Sequence, residues 1–209
     1  MKNKLVIIVL IILVIVGATI IGFYFNKQPA NSFENTALPN QNETNNQISG
    51  EESQNKLITD DFEITLPAGW QKTEPPIGSS AMAIKMDENL NDPAAQKINF
   101  RTYFAVSYET TQGKSLNEYM QTLKNQLQQT VSGITFTQEH DVVINNRTAK
   151  AFEANFNQKE VDFKVLMVVI KGLNDDVWVI SFNTLQSTWN EYQETFSNIV
   201  NSFKLKLKN

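Results

Sequence analysis

The stretch from Leu5 to Phe25 contains no charged residue, and it constrains the chain more than any other feature of the sequence. At about 1.5 Å per helical residue, a segment of this length spans the roughly 30 Å hydrocarbon core of a bilayer. The sequence therefore predicts a single transmembrane helix over residues 5–25, preceded by a cytoplasmic tip at residues 1–4. The remainder of the chain is expected to act beside a membrane.

A cleaved secretory signal peptide is the competing interpretation of this stretch. Such a signal has an apolar core of about 7–15 residues, followed by small residues at the cleavage site. Here the apolar run is longer and ends in the bulky residues Phe23, Tyr24 and Phe25. Tyr24 also suits the aromatic belt of a membrane interface. We therefore predict a retained signal anchor, and the lack of cysteine excludes a lipoprotein anchor.

The charges that flank the predicted span set its orientation. Lys2 and Lys4 precede the span, whereas Lys27 is the only lysine that follows it before Lys56. Because cytoplasmic flanks carry the excess of positive charge, the amino terminus is expected to stay in the cytoplasm. We predict a single-pass protein of the plasma membrane, whose C-terminal domain lies on the extracytoplasmic side.

Residues 26–56 have the composition of a linker. Twelve of these 31 residues are Asn or Gln, and apolar side chains occur singly. Too little apolar surface is present to offset the entropy of ordering, so a disordered tether is expected, with a span of about 30 Å. A partner-binding segment is the alternative. Residues 57–209 then form one domain, long enough to bury a core without disulfides or metals.

The charge of the chain argues against nucleic acid as a partner. The lysines and glutamates before Leu57 cancel, so the predicted domain carries the whole formal charge of −4. An acidic domain does not attract phosphate backbones over its surface.

Strand patterns dominate the predicted domain, and two segments have helical periodicity. Strands are expected at residues 62–66, 82–86, 98–108, 142–144, 152–156, 161–170 and 177–182. Asn145-Asn146 suits a tight hairpin turn. Ser115 with Glu118, and Thr188 with Glu191, have the spacing of capping boxes that begin the two helices.

The last strands are apolar on both faces, which predicts the layering of the domain. Val165 and Met167 would face one side, and Leu166 and Val168 the other. A sheet exposed to water on one side would alternate apolar and polar residues instead. The fold class is therefore predicted as α+β, with an antiparallel sheet flanked by helices on both faces (α/β/α).

Two short motifs resemble the PsbP-like superfamily. Residues 62–70, Phe-Glu-Ile-Thr-Leu-Pro-Ala-Gly-Trp, resemble its opening strand and Pro-x-Gly-Trp turn, and residues 199–203 resemble the end of its C-terminal helix. The superfamily includes the PsbP protein of photosystem II, a Ran-binding nuclear import factor and membrane-tethered bacterial proteins. The resemblance implies a PsbP-like fold and a role in binding or assisting other proteins, and nothing in the sequence supports a role in photosynthesis.

His140 is the sole histidine, and Asp141 follows it directly. Neighbouring residues of a strand point to opposite faces, so Asp141 is not expected to orient His140 in a catalytic triad. With one histidine and no cysteine, a structural zinc site and a thiol nucleophile are excluded.

The segment Asp87–Asp92 is the best candidate for a metal loop. Its oxygen-rich spacing is similar to that of a calcium loop, but Asp92 stands where an EF-hand requires glycine and Ile98 where it requires an acid. Asp60-Asp61 and Asp175-Asp176 are interpreted as turn residues. No nucleotide-binding, hydrolase or metalloprotease motif is present, so we expect no catalytic residue, no cofactor and no metal.

Three tryptophans and the C-terminal lysines are the remaining candidates for contacts. Trp178 and Trp189 fall within core patterns, whereas Trp70 follows a turn and is expected to be more open, beside a possible contact loop at residues 75–78. Lys204–Lys208 alternates with leucine, which favours a short edge strand, with contact to anionic lipid as the alternative.

Together these features predict a membrane-tethered, extracytoplasmic module that binds an envelope protein or assists its assembly, without catalysis. Two alternatives stay open. A lipid or small-ligand carrier would need an apolar cavity between sheet and helix. A carboxylate-dependent hydrolase would need a deep pocket with converging acids of perturbed pKa.

Overall fold

The computed structural model describes residues 55–206, and the predicted transmembrane helix and nearly all of the predicted linker lie outside them. Lys56, which was assigned to the linker, already belongs to the first strand. Within residues 55–206, no helix combines the length and apolar character that crossing a membrane requires.

The described chain consists of ten strands and three α-helices. In chain order they are β1 (Lys56–Ile58), β2 (Phe62–Thr65), β3 (Trp70–Thr73), β4 (Ala81–Lys85), α1 (Pro93–Lys97), β5 (Tyr103–Thr110), α2 (Leu116–Thr130), β6 (Thr135–Ile144), β7 (Arg147–Gln158), β8 (Val161–Lys171), β9 (Asp176–Leu185), α3 (Trp189–Ser202) and β10 (Lys204–Leu205).

Two antiparallel sheets organise these elements. Seven strands form the large sheet in the order β3-β4-β5-β9-β8-β7-β6, and β1, β2 and β10 form a small sheet with β2 in the centre. The hairpin between β6 and β7 turns at Asn145 and Asn146, whose positive φ angles of 46° and 63° confirm the predicted tight turn. The strand β6 is thus the terminal strand of the large sheet.

Helices cover both faces of the large sheet, which confirms the predicted α/β/α layering. On one face, Met120 and Leu123 of α2 pack in a cluster that includes Met167 of β8. On the other face, Phe196 of α3 packs in a second cluster that includes Val168 of β8 and the small sheet. Successive residues of β8 enter opposite clusters, as expected of a strand buried on both sides.

The two predicted capping boxes have different outcomes. Ser115 and Glu118 form the box at the start of α2: the Ser115 Oγ accepts from the Glu118 N–H, and Glu118 accepts from the Ser115 N–H at 2.8 Å. The box predicted for Thr188 and Glu191 is wrong. A 3₁₀ turn over Gln186–Thr188 precedes α3, and the Thr188 hydroxyl pairs with the Thr184 hydroxyl at 2.8 Å instead of capping the helix.

The segment before β5 also differs from the prediction. A strand was expected from Ile98, but Asp92 caps the unpredicted helix α1, and its Oδ1 accepts from the N–H groups of Ala94 and Ala95. Asn99 then adopts a left-handed φ of 51°, which breaks the extended pattern, so β5 begins only at Tyr103. At the other end, β10 pairs with the edge of β2, which confirms the predicted edge strand for Lys204 and Leu205.

Candidate binding groove

A groove of about 520 Å³ separates α3 from the outer strands of the large sheet. It exists because α3 lies over the central strands and the small sheet, which leaves the inner surfaces of β6 and β7 partly uncovered. Apolar side chains of both elements line it: Val142, Ile144, Ala151, Leu166, Val168, Trp189 and Val200. The groove is therefore an apolar cleft between a sheet and a helix.

One charged pair is built into the floor of the groove. Glu153 lines the groove and is 4% exposed, and its Oε2 lies 2.8 Å from the Lys164 Nζ. The same Nζ lies 4.4 Å from the centre of the Trp189 ring, a cation–π contact. The Lys164 ammonium group is thus held between the Trp189 ring and the Glu153 carboxylate. It compensates the negative charge that Glu153 would otherwise bring to the groove.

Amide, hydroxyl and imidazole side chains form the rim. On α3, Gln193, Ser197 and Asn201 recur every four residues, so they lie along one side of the helix above the groove, and all three are exposed. On β6, Gln138 and His140 stand on the opposite rim. Amide and imidazole groups can donate and accept hydrogen bonds, so the rim suits a ligand with its own uncharged polar groups.

His140 and Asp141 do not act on each other. The Nδ1 of His140 lies 2.6 Å from the Gln138 carbonyl, whereas the Asp141 carboxylate forms an ion pair with Lys150. The sequence argued against a catalytic role for His140 and indicated a surface histidine, and it did not indicate that this side chain lines a groove.

Gln138 occupies an irregular position in β6. It has a left-handed φ of 53°, and the pairing of β6 with β7 shifts between Thr137 and His140, as at a β-bulge. Bulges re-aim side chains next to functional sites. Here the bulge divides β6 and starts a second regular stretch, from His140 to Ile144, along the groove.

The acidic segment at residues 87–92 is used within the fold. Asp87 forms an ion pair with Lys85 at 2.9 Å, and this hydrogen bond lowers the pKa of its carboxyl. Glu88 accepts from both the N–H and the hydroxyl of Thr102, and Asp92 caps α1. Among residues 55–206, no group of three or more His, Asp or Glu side chains is arranged to hold a metal ion.

The acidic pairs in the turns also have local contacts. Asp176 accepts from the Tyr108 hydroxyl at 2.6 Å, which raises the pKa of that phenol, and the Asp175 carbonyl accepts from the Thr111 N–H. The Asp61 carbonyl accepts from the Lys206 N–H, which continues the pairing of β10.

The prediction that Trp70 is open is wrong. Trp70 is 1% exposed, and its ring packs against Phe104, Tyr192 and Phe196. It follows a turn, but it is the first residue of β3 and faces α3, so the turn brings it into the core. Trp178 and Trp189 are buried as predicted. In the loop at residues 75–78, Ile77 is 94% exposed.

A second pocket, of about 440 Å³, lies at the end of the large sheet and was missed by sequence reasoning. The half-exposed Tyr108 ring packs edge-on against Trp178, with ring centres 5.2 Å apart, and Leu173 is 57% exposed beside them. Asp176 and Arg147 border this pocket. These five residues come from three strands and a hairpin loop, so no local sequence pattern predicts the pocket.

Glu109 is a buried carboxyl on the opposite face, under α2. It is 6% exposed, and burial raises its pKa to about 7. Its charge also contributes to the raised pKa of the buried Tyr119 of α2. No ion pair within the described residues includes Glu109. The groove and this carboxyl are separated by the sheet.

Comparison with known proteins identifies the fold through structure alone. No family model matches the sequence, and no curated protein matches it significantly. Three solved structures are similar. The cyanobacterial PsbP of Synechocystis has 13% identity and a TM-score of 0.52, over 78% of this chain and 98% of that one. LpqN of Mycobacterium tuberculosis, described as involved in cell envelope biogenesis, has 10% identity and a TM-score of 0.53, over 75% and 87%. The Ran-binding protein Mog1p of Saccharomyces cerevisiae has 15% identity and a TM-score of 0.50, over 73% and 96%.

The domain therefore has the PsbP-like fold, which confirms the resemblance carried by the motifs at residues 62–70 and 199–203. At these identities the likeness establishes the fold and leaves the role of the groove to be argued from its own side chains.

Proposed function

We propose that this chain is a membrane-tethered, non-catalytic binding module whose domain lies on the extracytoplasmic side and whose partner docks in the groove between α3 and β6. The observation that carries the proposal is the groove itself, with an apolar floor, a Glu153 carboxylate paired with Lys164, and a rim of hydrogen-bonding side chains. This combination of apolar floor and hydrogen-bonding rim is typical of binding sites.

Two further observations support the proposal. The predicted anchor and linker would hold the domain near a membrane surface and give it lateral reach. Among proteins of the same fold, one is described as Ran-binding and one as involved in cell envelope biogenesis, which is the style of function proposed here.

Site-specific crosslinking tests this proposal. A photoreactive residue at Gln193, on the groove rim, is expected to capture a reproducible protein partner in intact cells that make the full-length chain. Asn198 is the matched control, because it is exposed on the same helix but is not part of the groove lining. Loss of reproducible adducts at Gln193, or equal adducts at both positions, would count against the proposal.

The orientation is tested separately. The chain has no cysteine, so an Asn198→Cys variant carries a single reactive thiol at an exposed site. We expect a membrane-impermeant maleimide to label it in intact cells. Labelling only after the cells are lysed would place the domain in the cytoplasm and refute the proposed location.

A small-ligand carrier is the second candidate, since the groove is an apolar cleft between sheet and helix. Native mass spectrometry of the full-length protein would detect a retained small molecule, and Ala151→Leu, which narrows the floor, would reduce its occupancy. The hydrolase alternative has less support. Among residues 55–206 the one carboxyl with a raised pKa is that of Glu109, which lies on the other face of the sheet.

A further inference from the structure

We propose that the occupant of the groove is an extended segment of a partner protein that adds to the free edge of β6, with uncharged side chains directed into the groove. This inference rests on the proposed function and specifies the chemistry of its partner. It combines three features of the described residues: an unpaired strand edge, the hydrogen-bonding direction of its backbone, and the charge of the groove beside it.

Within residues 55–206, the outer edge of β6 has no strand partner. It is the last strand of the large sheet, and its neighbour on the inner side is β7. Beyond the bulge, five residues from His140 to Ile144 pair in regular register with β7. A row of unpaired N–H and C=O groups on such an edge is the template for β-strand addition.

The hairpin turn determines which backbone groups point outward. Asn145 and Asn146 form a two-residue turn, so the flanking pair Ile144–Arg147 exchanges hydrogen bonds. Because hydrogen-bonded and non-hydrogen-bonded pairs alternate in antiparallel sheets, Val143 and Asp141 direct their N–H and C=O groups away from β7. A partner strand would pair with these two residues.

The side chains of an added strand would continue the surface that lines the groove. Successive residues alternate between faces, and Val142 and His140 of β6 point to the groove side. Every second side chain of the added strand would therefore point to the same face as His140 and Val142. These side chains would lie across the groove from the amide rim of α3.

The charge of the groove favours an uncharged occupant. Glu153 and His140 are the ionisable residues of its lining, and Glu153 is neutralised by Lys164. On β6 itself, Glu139 and Asp141 are paired with Lys124 and Lys150. A charged side chain brought into the groove would lose its hydration without gaining a counter-ion, which is costly. The rim amides instead match the amides of a peptide.

Binding of defined peptides to the full-length protein in mild detergent tests the inference. The probe is a fluorescent, end-capped peptide with the sequence Thr-Val-Thr-Val-Thr-Val, and the readout is fluorescence anisotropy. We expect saturable binding, weakened at least tenfold when lysine or glutamate replaces the valines. Absence of saturable binding, or equal affinity for the charged probes, would overturn the inference.

A pair of variants at one position isolates the backbone. Val143 is 70% exposed, and its N–H points outward, so Val143→Pro removes the pairing donor from an edge where proline is tolerated. Val143→Thr keeps the donor and loses only apolar surface. We expect at least a tenfold loss for proline and less than a twofold change for threonine. Equal affinities for both variants would refute edge pairing.

Two controls keep the outcome decisive. A probe with alternate N-methylated amides tests the same hydrogen bonds without altering the protein, and unchanged affinity for it would overturn the inference. Sedimentation of the full-length protein tests a second copy as the occupant, and dimerisation abolished by Val143→Pro would assign the edge to self-association instead. If crosslinking at Gln193 captures a partner equally well in the Val143→Pro chain, the proposed function stands and edge pairing fails.

Discussion

The buried carboxyl of Glu109 makes the folded domain sensitive to pH in a direction opposite to that of most acids. Its pKa is raised by burial to about 7, from an ordinary 4.5, so the folded state holds this proton more tightly than the unfolded state. The unfolded state therefore binds fewer protons between pH 4.5 and 7, and the free energy of unfolding falls as the pH rises through that window.

The size of this effect follows from the shift. The rise in the pKa of Glu109 from 4.5 to about 7 corresponds to about 3 kcal/mol of stability. Ionisation of Glu109 does not destabilise the folded state below pH 4.5, where the carboxyl is protonated in both the folded and the unfolded state. The full loss of stability is reached above pH 7, where the carboxyl is ionised in both states. Glu109→Gln keeps the shape of the side chain and removes its ionisation. We therefore expect the free energy of unfolding of the variant, relative to that of the wild type, to rise by about 3 kcal/mol from pH 4.5 to pH 8.

Urea unfolding of the full-length protein at a series of pH values measures this gain. All three tryptophans are buried, so their fluorescence reports the loss of the core. Glu194→Gln is the control, because Glu194 is exposed on α3. The reasoning is refuted if the stability curves of the wild type and Glu109→Gln run parallel across the whole range.

Three further predictions use the same unfolding assay. Trp70→Ala should cost about 3–5 kcal/mol because it empties a fully packed site, whereas Ile77→Ala, at a 94% exposed position, should cost almost nothing; similar losses would contradict the packing described for Trp70. Lys164→Met should cost about 3 kcal/mol by leaving Glu153 buried without its cation, and adding Glu153→Leu should recover most of that loss; a double variant no more stable than Lys164→Met would argue against a coupled pair. Ser115→Ala should cost about 1 kcal/mol through the lost cap of α2, and an unchanged midpoint would show that the capping box contributes nothing.

Local signals explain which parts of the fold could be predicted. The Asn145-Asn146 turn and the Ser115 capping box depend on residues close in sequence. The burial of β8 on both faces is indicated by its own run of consecutive apolar residues. These features need no knowledge of distant packing, so they were enough to predict the layered α/β/α arrangement. The PsbP-like fold was implied separately, by the resemblance of the motifs at residues 62–70 and 199–203.

The errors arise where distant contacts decide the outcome. Trp70 is buried because α3, more than a hundred residues later, covers it, and Thr188 fails as a cap because its hydroxyl pairs with Thr184 of the preceding strand. The groove has the same origin. Its walls come from β6 and α3, and its openness depends on where the helix lies across the sheet, which no local periodicity encodes.

The small sheet has a mechanical consequence. The chain enters the domain through β1, whose three residues pair with β2, and β2 also holds β10 at the far end of the chain. A pull applied at residue 55 is carried first by Asn55, whose side-chain amide donates to the Trp70 carbonyl at 2.8 Å and whose carbonyl accepts from the Leu66 N–H. It is carried next by the three β1–β2 pairs and by the buried side chain of Leu57. If β1 were peeled away, β2 would still be held on its other edge by β10 and by the Ser202 hydroxyl of α3, which accepts from the Thr65 N–H at 3.0 Å. The strand β1 would thus be the first strand of the small sheet to yield to a pull at residue 55, before β2 and the C-terminal β10 separate.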